Sequence, residues 1–180
     1  MKKLWIGCLF VLLSFDIHIE DSTIGLIPDF VGYILLVMGL KELSAEQIEL
    51  GKLNVIAGIM AVCSAILYIS NICAIPLYAP IFFNVINVLK LIFNLYIVYQ
   101  IIGIVNALER KYGSDFNSVK IMNAWSVMLC ANVLLYLTMV LIPIAAIVCI
   151  IVELVSIIYF LVQFYKTTDL FWNCKCFSDI

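Results

Sequence analysis

The chain has 180 residues, 66% of them hydrophobic and 12% charged, with a formal net charge of −2. A soluble domain carries roughly 25% charged residues, so this composition excludes that class. There is no basic stripe for nucleic acid and no GxxxxGK[ST] or GxGxxG phosphate loop.

A hydrocarbon core of about 30 Å takes about 20 apolar residues per helix. Six spans and short links therefore account for nearly the whole chain and leave no catalytic domain outside the bilayer. The first apolar run, residues 4–15, follows Lys2 and Lys3 as the core of a signal peptide does. No small-residue cleavage site follows it, and Cys8 stands too early for a lipoprotein signal. The prediction is an uncleaved helix over 4–19 with Asp16 and His18 at its outer end. Glu20, Asp21, Ser22 and Thr23 then form an acidic external link, and a second helix over 24–40 returns to Lys41. Residues 41–52 read as an internal loop, with Ser44 and Gln47 at capping-box spacing for the next helix.

The third helix is predicted over 53–70. Ala57, Ala61 and Ala65 recur every four residues, a small-residue stripe that lets helix backbones approach where no hydrophobic force drives them together. Residues 71–80, with Pro76 and Pro80, are uncharged and external. The fourth helix, 81–108, exceeds one span and must tilt or project. Residues 109–120 are internal, with Gly113 as the helix stop. From 121 to 165 the only charge is Glu153, and Pro143 divides this stretch into helices over 121–141 and 143–165. The tail from 167 onward is cytoplasmic, with Leu170, Phe171 and Trp172 resting on the membrane surface.

Lys2, Lys3, Lys41, Lys52, Arg110, Lys111, Lys120, Lys166 and Lys175 all flank spans on one side in this arrangement, while Lys90 lies inside a span. Short loops rich in Lys and Arg stay in the cytoplasm. The predicted fold is an all-α, six-helix transmembrane bundle, residues 1–180 as one integral domain of the cell membrane, with both termini cytoplasmic.

An ionisable side chain at the middle of a span costs at least about 2.5–3.5 kcal/mol, so each one needs a reason. Four qualify: Asp16, Asp29, Lys90 and Glu153. Asp16 and Asp29 are equidistant from the Ser22–Thr23 midpoint and would sit level in a simple antiparallel hairpin. Two adjacent carboxylates cannot both ionise cheaply, so one would hold a proton, or both would bind a cation or share a basic partner such as Lys90. Asn84, Asn87, Lys90 and Asn94 occupy one face of the fourth helix. Glu153, Ser156, Tyr159 and Gln163 repeat the same spacing in the sixth.

Two readings follow. In the first, these faces line a polar cavity for solute or ion transport. In the second, Lys90 pairs with an acid, the amides and hydroxyls cross-link helices, and the protein is a non-transporting partner or scaffold. Asp16, His18 and Glu20 alternate along the chain as metal ligands on a strand would, but the set is incomplete. The seven cysteines include Cys174 and Cys176 about Lys175, and only Cys73 falls in an external loop, so no disulfide framework is expected. No metal and no cofactor are expected. With one histidine and no HExxH, GxSxG or Ser-His-Asp set, neither is an enzyme.

The stretch Phe15-Asp16-Ile17 followed by Ile27-Pro28-Asp29-Phe30-Val31-Gly32-Tyr33 and ending at Gly39-Leu40 resembles uncharacterised small multi-pass membrane proteins, mainly of Gram-positive bacteria. The resemblance covers residues 11–43 and implies a bacterial cell-membrane location without an activity. Within it, Pro28 opens a helix, Asp29 complements the helix dipole, and Gly32 and Gly39 share a close-packing face. In size and topology the chain is also similar to the substrate-binding subunits of energy-coupling-factor transporters, which implies a separate ATPase as partner. Those subunits often carry an AxxxA contact in the first helix, whereas here Ala57, Ala61 and Ala65 lie in the third. Beyond the lipid bilayer, the expected contacts are another membrane protein or a second copy of the chain.

Overall fold

A computed structural model describes residues 1–13, 16–19, 22–25, 28–44, 50–73, 80–141 and 143–178. Among these residues lie six helices and one two-stranded hairpin. In chain order they are α1 (Lys2–Leu12), β1 (Asp16–Ile19), β2 (Ser22–Gly25), α2 (Asp29–Ser44), α3 (Gly51–Ile72), α4 (Pro80–Tyr112), α5 (Ser118–Leu141) and α6 (Pro143–Ser178). Four stretches are long and apolar enough to cross a membrane: Gly51–Ile72, Ile81–Tyr112, Ser118–Thr138 and Ala145–Lys175, with mean hydropathies of 2.1, 2.0, 1.5 and 2.8.

The first predicted span is corrected. α1 ends at Leu12, and residues 16–19 are a strand rather than the outer end of a helix. β1 pairs antiparallel with β2, setting Asp16 across from Gly25 and Ile19 across from Ser22. The physical reason is the alternation Asp-Ile-His-Ile, a period of two with β-branched residues on every second position. This register also removes the expected symmetry of Asp16 and Asp29 about Ser22–Thr23. Ser44 ends α2 and donates to the Lys41 carbonyl at 2.7 Å. It does not cap α3, which starts at Gly51 after Leu50 without a side-chain cap. Glu20, Asp21, Gln47 and Pro76 lie outside the described residues.

The structure divides into two compact units, Met1–Ile97 and Val98–Ile180, with α4 running from one into the other. In the first unit α1 packs on α2, α2 on α3, and β2 lies against α3. Leu4, Cys8, Tyr33, Leu36, Leu40 and Ala57 form its buried centre. Gly32 and Gly39 make the α1–α2 contact close. A Cβ on Gly32 would come within 2.8 Å of Phe10 and Val11, and one on Gly39 within 2.7 Å of Leu4. Lys3 pairs with Glu42, so the start of α1 and the end of α2 lie side by side.

In the second unit α5 packs on α6 around Ile121, Met128, Phe160 and Phe164. Gly113, with φ of +63°, ends α4, and its N–H reaches the Glu109 carbonyl at 2.8 Å. Glu109 then caps α5: its carboxylate accepts the Phe116 and Ser118 backbone N–H groups, each at 2.8 Å, and the Ser118 hydroxyl. A carboxylate at a helix N-terminus satisfies orphan N–H groups and complements the dipole.

α6 has 36 residues and does not stop at Tyr165 as expected. At 1.5 Å per residue it is roughly 54 Å long, well beyond one bilayer crossing. Its last turns turn inward on the α4–α5 loop. The Thr167 hydroxyl donates to the Phe116 carbonyl at 2.5 Å, and Tyr112, Phe116 and Phe171 stack edge to face. Phe171 is therefore buried, and of the expected surface triplet only Leu170 and Trp172 are exposed.

Candidate functional site

The first unit holds its polar residues in a two-rung ladder. Asp29 stands in the first turn of α2 and Tyr33 one turn further on. Lys90 and Asn94 have the same spacing on α4. The Lys90 ammonium donates to Asp29 Oδ2, and the Tyr33 hydroxyl donates to Asn94 Oδ1. Both rungs join residues with the same sequence separation, so α2 and α4 run parallel here, in step over one turn. Side chains at i and i+4 lie on one helix face, which lets one pair of faces make both contacts. Tyr33 is wholly buried and Asn94 nearly so, while the charged side chains of Lys90 and Asp29 keep 24% and 12% of their exposure. Ser64 of α3 lies beside Tyr33 within the same core, its hydroxyl buried.

Of the other residues singled out on this face, Asn84 and Asn87 are exposed. They sit on the first turns of α4 among exposed Ile81, Phe82, Val85 and Val88. The side chain of Asp16 lies outside the described residues. On α3, Ala57 is buried against the core while Ala61 and Ala65 are half-buried.

The α6 face is handled separately, within the second unit. Glu153 accepts a hydrogen bond from the Asn132 amide of α5 at 2.9 Å, and that amide also donates to the Met128 carbonyl at 3.0 Å. The Ser156 hydroxyl returns to the Val152 carbonyl of its own helix at 2.8 Å. Gln163 is buried, and Tyr159 is 44% exposed. The four residues thus point to a neighbouring helix, their own backbone, the core and the surface respectively.

One crevice of about 410 Å³ opens between α4 and α5 in the second unit. Gln100 and Asn106 of α4 and Ser118 and Asn123 of α5 supply its polar groups, with Tyr99 beside them. None of the candidate residues on the α4 and α6 polar faces lines it. The Tyr99 ring packs on Trp125 with centroids 5.1 Å apart. Among the described residues no group of three or more His, Cys, Asp or Glu side chains is placed to hold a metal ion, and Cys8, Cys63, Cys73, Cys130, Cys149 and Cys174 are free thiols.

Tyr33 enters from the sequence only within the stretch ending at Gly39-Leu40, and Asn132 not at all. Tyr33 had a visible signal: it stands one helical turn after Asp29, as Asn94 stands one turn after Lys90. Asn132, a lone amide in the middle of an apolar helix, carries its own flag, since buried amides need partners.

Four helices long and apolar enough to cross a bilayer place the chain in the class of membrane proteins. No protein-family model, curated protein or solved structure matches it.

Proposed function

We propose that this chain is a multi-pass protein of the bacterial cytoplasmic membrane that serves as a non-transporting partner or scaffold subunit, its intramembrane charges being structural. The observation that carries this reading is the ladder of Asp29 and Tyr33 with Lys90 and Asn94. It spends Asp29 and Lys90, the intramembrane charges among the described residues of the first unit, on each other. Charges inside a membrane typically face the protein interior and pair. In the second unit Glu153 is likewise engaged by Asn132.

In the proposed topology both termini face the cytoplasm, because the Lys and Arg residues at the ends of α1, α2, α4 and α6 then share that side. α3, α4, α5 and α6 cross the bilayer. α1 and α2 enter and return as a pair with the β-hairpin at its tip. α1 alone, with 11 residues, reaches roughly 16 Å. Adding a four-residue strand at about 3.3 Å per residue extends the reach to about 30 Å, one hydrocarbon thickness. The pair therefore completes the remaining two passes of a six-pass bundle.

A second reading, transport or binding of a solute or ion, is favoured by Asn84, Asn87 and Tyr159, polar groups exposed on otherwise apolar helix surfaces. Native mass spectrometry of the protein taken from its host membrane into lipid nanodiscs decides between the two. A stoichiometric second membrane protein is the expected result. A bound solute, or an accompanying ATPase module as in energy-coupling-factor transporters, would overturn the scaffold reading in favour of transport.

A further inference from the structure

We infer that the crevice between α4 and α5 is a binding site for a neutral polyhydroxylated group, such as the sugar headgroup of a glycolipid or a free sugar. The site is distinct from the ladder and from every residue of the α4 and α6 polar faces discussed above. Its volume of about 410 Å³ lies within the usual range for small-molecule sites, roughly 300–1,000 Å³.

The chemistry of the lining selects the class of ligand. No Asp or Glu lines the crevice, so a bare cation finds no countercharge there. No Lys or Arg lines it either, so a phosphate or carboxylate has no ionic partner. A purely apolar ligand would cover half-buried Gln100 and exposed Asn106 and Asn123 without a partner, at a cost of about 1–3 kcal/mol for each carboxamide so buried. Each carboxamide offers a carbonyl acceptor and an NH₂ donor side by side. A hydroxyl is both donor and acceptor, so a cluster of hydroxyls matches a cluster of carboxamides. Tyr99, held at 5.1 Å by Trp125, adds an aromatic surface at the edge for the C–H face of a sugar ring.

Depth points the same way. The α4 wall ends at Asn106, one turn before Arg110 and Lys111, and the α5 wall is its first turn and a half, which includes Lys120. In the topology proposed above this is the cytoplasmic boundary of the bilayer, where lipid headgroups lie and aromatic belts form. The lipid source of the ligand rests on that topology; the polyol chemistry does not.

The test uses the full chain with Trp5→Phe and Trp172→Phe, which leaves Trp125 as the only tryptophan. In phosphatidylcholine nanodiscs, one arm titrates free glucose and sucrose, and the other varies the content of monoglucosyl diacylglycerol. A saturable change in Trp125 emission is expected in at least one arm. A response confined to the lipid arm identifies a headgroup site, and a response to free sugar identifies a solute site. Gln100→Leu and Asn123→Leu should each weaken it at least about fivefold, the worth of one lost hydrogen bond. Gly103→Leu fills the crevice without a clash, since a Cβ there meets nothing within 4 Å, and should abolish the response in a folded protein. The inference is overturned if neither arm saturates, if phosphatidylserine, which is anionic and carries no polyol, gives an equal response, or if Gly103→Leu leaves the signal intact.

Discussion

Lys90 and Asp29 are each a liability and each other's remedy. Alone in a span, either charge costs at least about 2.5–3.5 kcal/mol. Paired, each supplies the other's countercharge, and the Tyr33–Asn94 bond one turn away fixes the two helices in step. Removing one partner leaves a buried charge without its complement, whereas removing both leaves only a small packing defect. Lys90→Met is therefore expected to lower stability by about 2–4 kcal/mol, reduced from the fully buried case because the pair is partly exposed. Asp29→Asn combined with Lys90→Met should recover most of that loss. Thermal unfolding in nanodiscs measures both. A double variant as unstable as Lys90→Met alone would show that the loss does not come from the charge left on Asp29. Tyr33→Phe removes one neutral hydrogen bond and should cost about 1 kcal/mol in the same assay.

At the scale of elements, α1 and α2 depend on three glycines, Gly7, Gly32 and Gly39, to lie in contact. Leu4 occupies the space a Cβ on Gly39 would need, including its backbone nitrogen at 2.8 Å, so no rotamer change makes room. Gly39→Val must push α1 away from α2, with an expected cost of about 1–3 kcal/mol, the usual range for overpacking. Retention of the wild-type unfolding temperature would contradict the packing described. Gly58→Val on α3, where a Cβ meets nothing within 4 Å, is the control that should be tolerated.

How far such elements were legible in the sequence depended on the range of the forces behind them. Gly113 and Pro143 mark helix ends because backbone conformation and a missing N–H act locally. The β-hairpin was hidden by Ile17 and Ile19, which prolong the apolar run of α1, and short apolar stretches do not separate strand from helix by period alone. The extension of α6 to Ser178 was hidden for a different reason: it is stabilised by Thr167 and Phe171 meeting Phe116 far away in the chain. At the ladder, the sequence shows that Lys90 and Asp29 each need a partner. That Tyr33 joins Asn94, and that Asn132 takes Glu153, are tertiary choices that no local spacing dictates.

For the whole molecule, the proposed orientation turns on parity rather than on the exact depth of α1 and α2. In that orientation the pair enters and leaves by one face, because Lys3 at the start of α1 meets Glu42 at the end of α2. Whether the hairpin between them reaches the far surface or stops short, the chain returns to its starting side before α3. Four further crossings by α3, α4, α5 and α6 bring it back again. Both termini then share the side of Lys41, Lys52, Arg110 and Lys111, and the α3–α4 connection lies opposite. Cys73, exposed at the end of α3, and Cys174, in the last turns of α6, report those two sides. In intact cells a membrane-impermeant maleimide is expected to modify a variant whose only cysteine is Cys73. A variant retaining only Cys174 should react after permeabilisation and not before. Reaction of Cys174 alone in intact cells would invert the orientation with the parity intact, and equal reaction of both would require an even number of crossings between them. The second result would break the parity argument, because the short helices α1 and α2 lie outside the interval being counted and cannot rescue it.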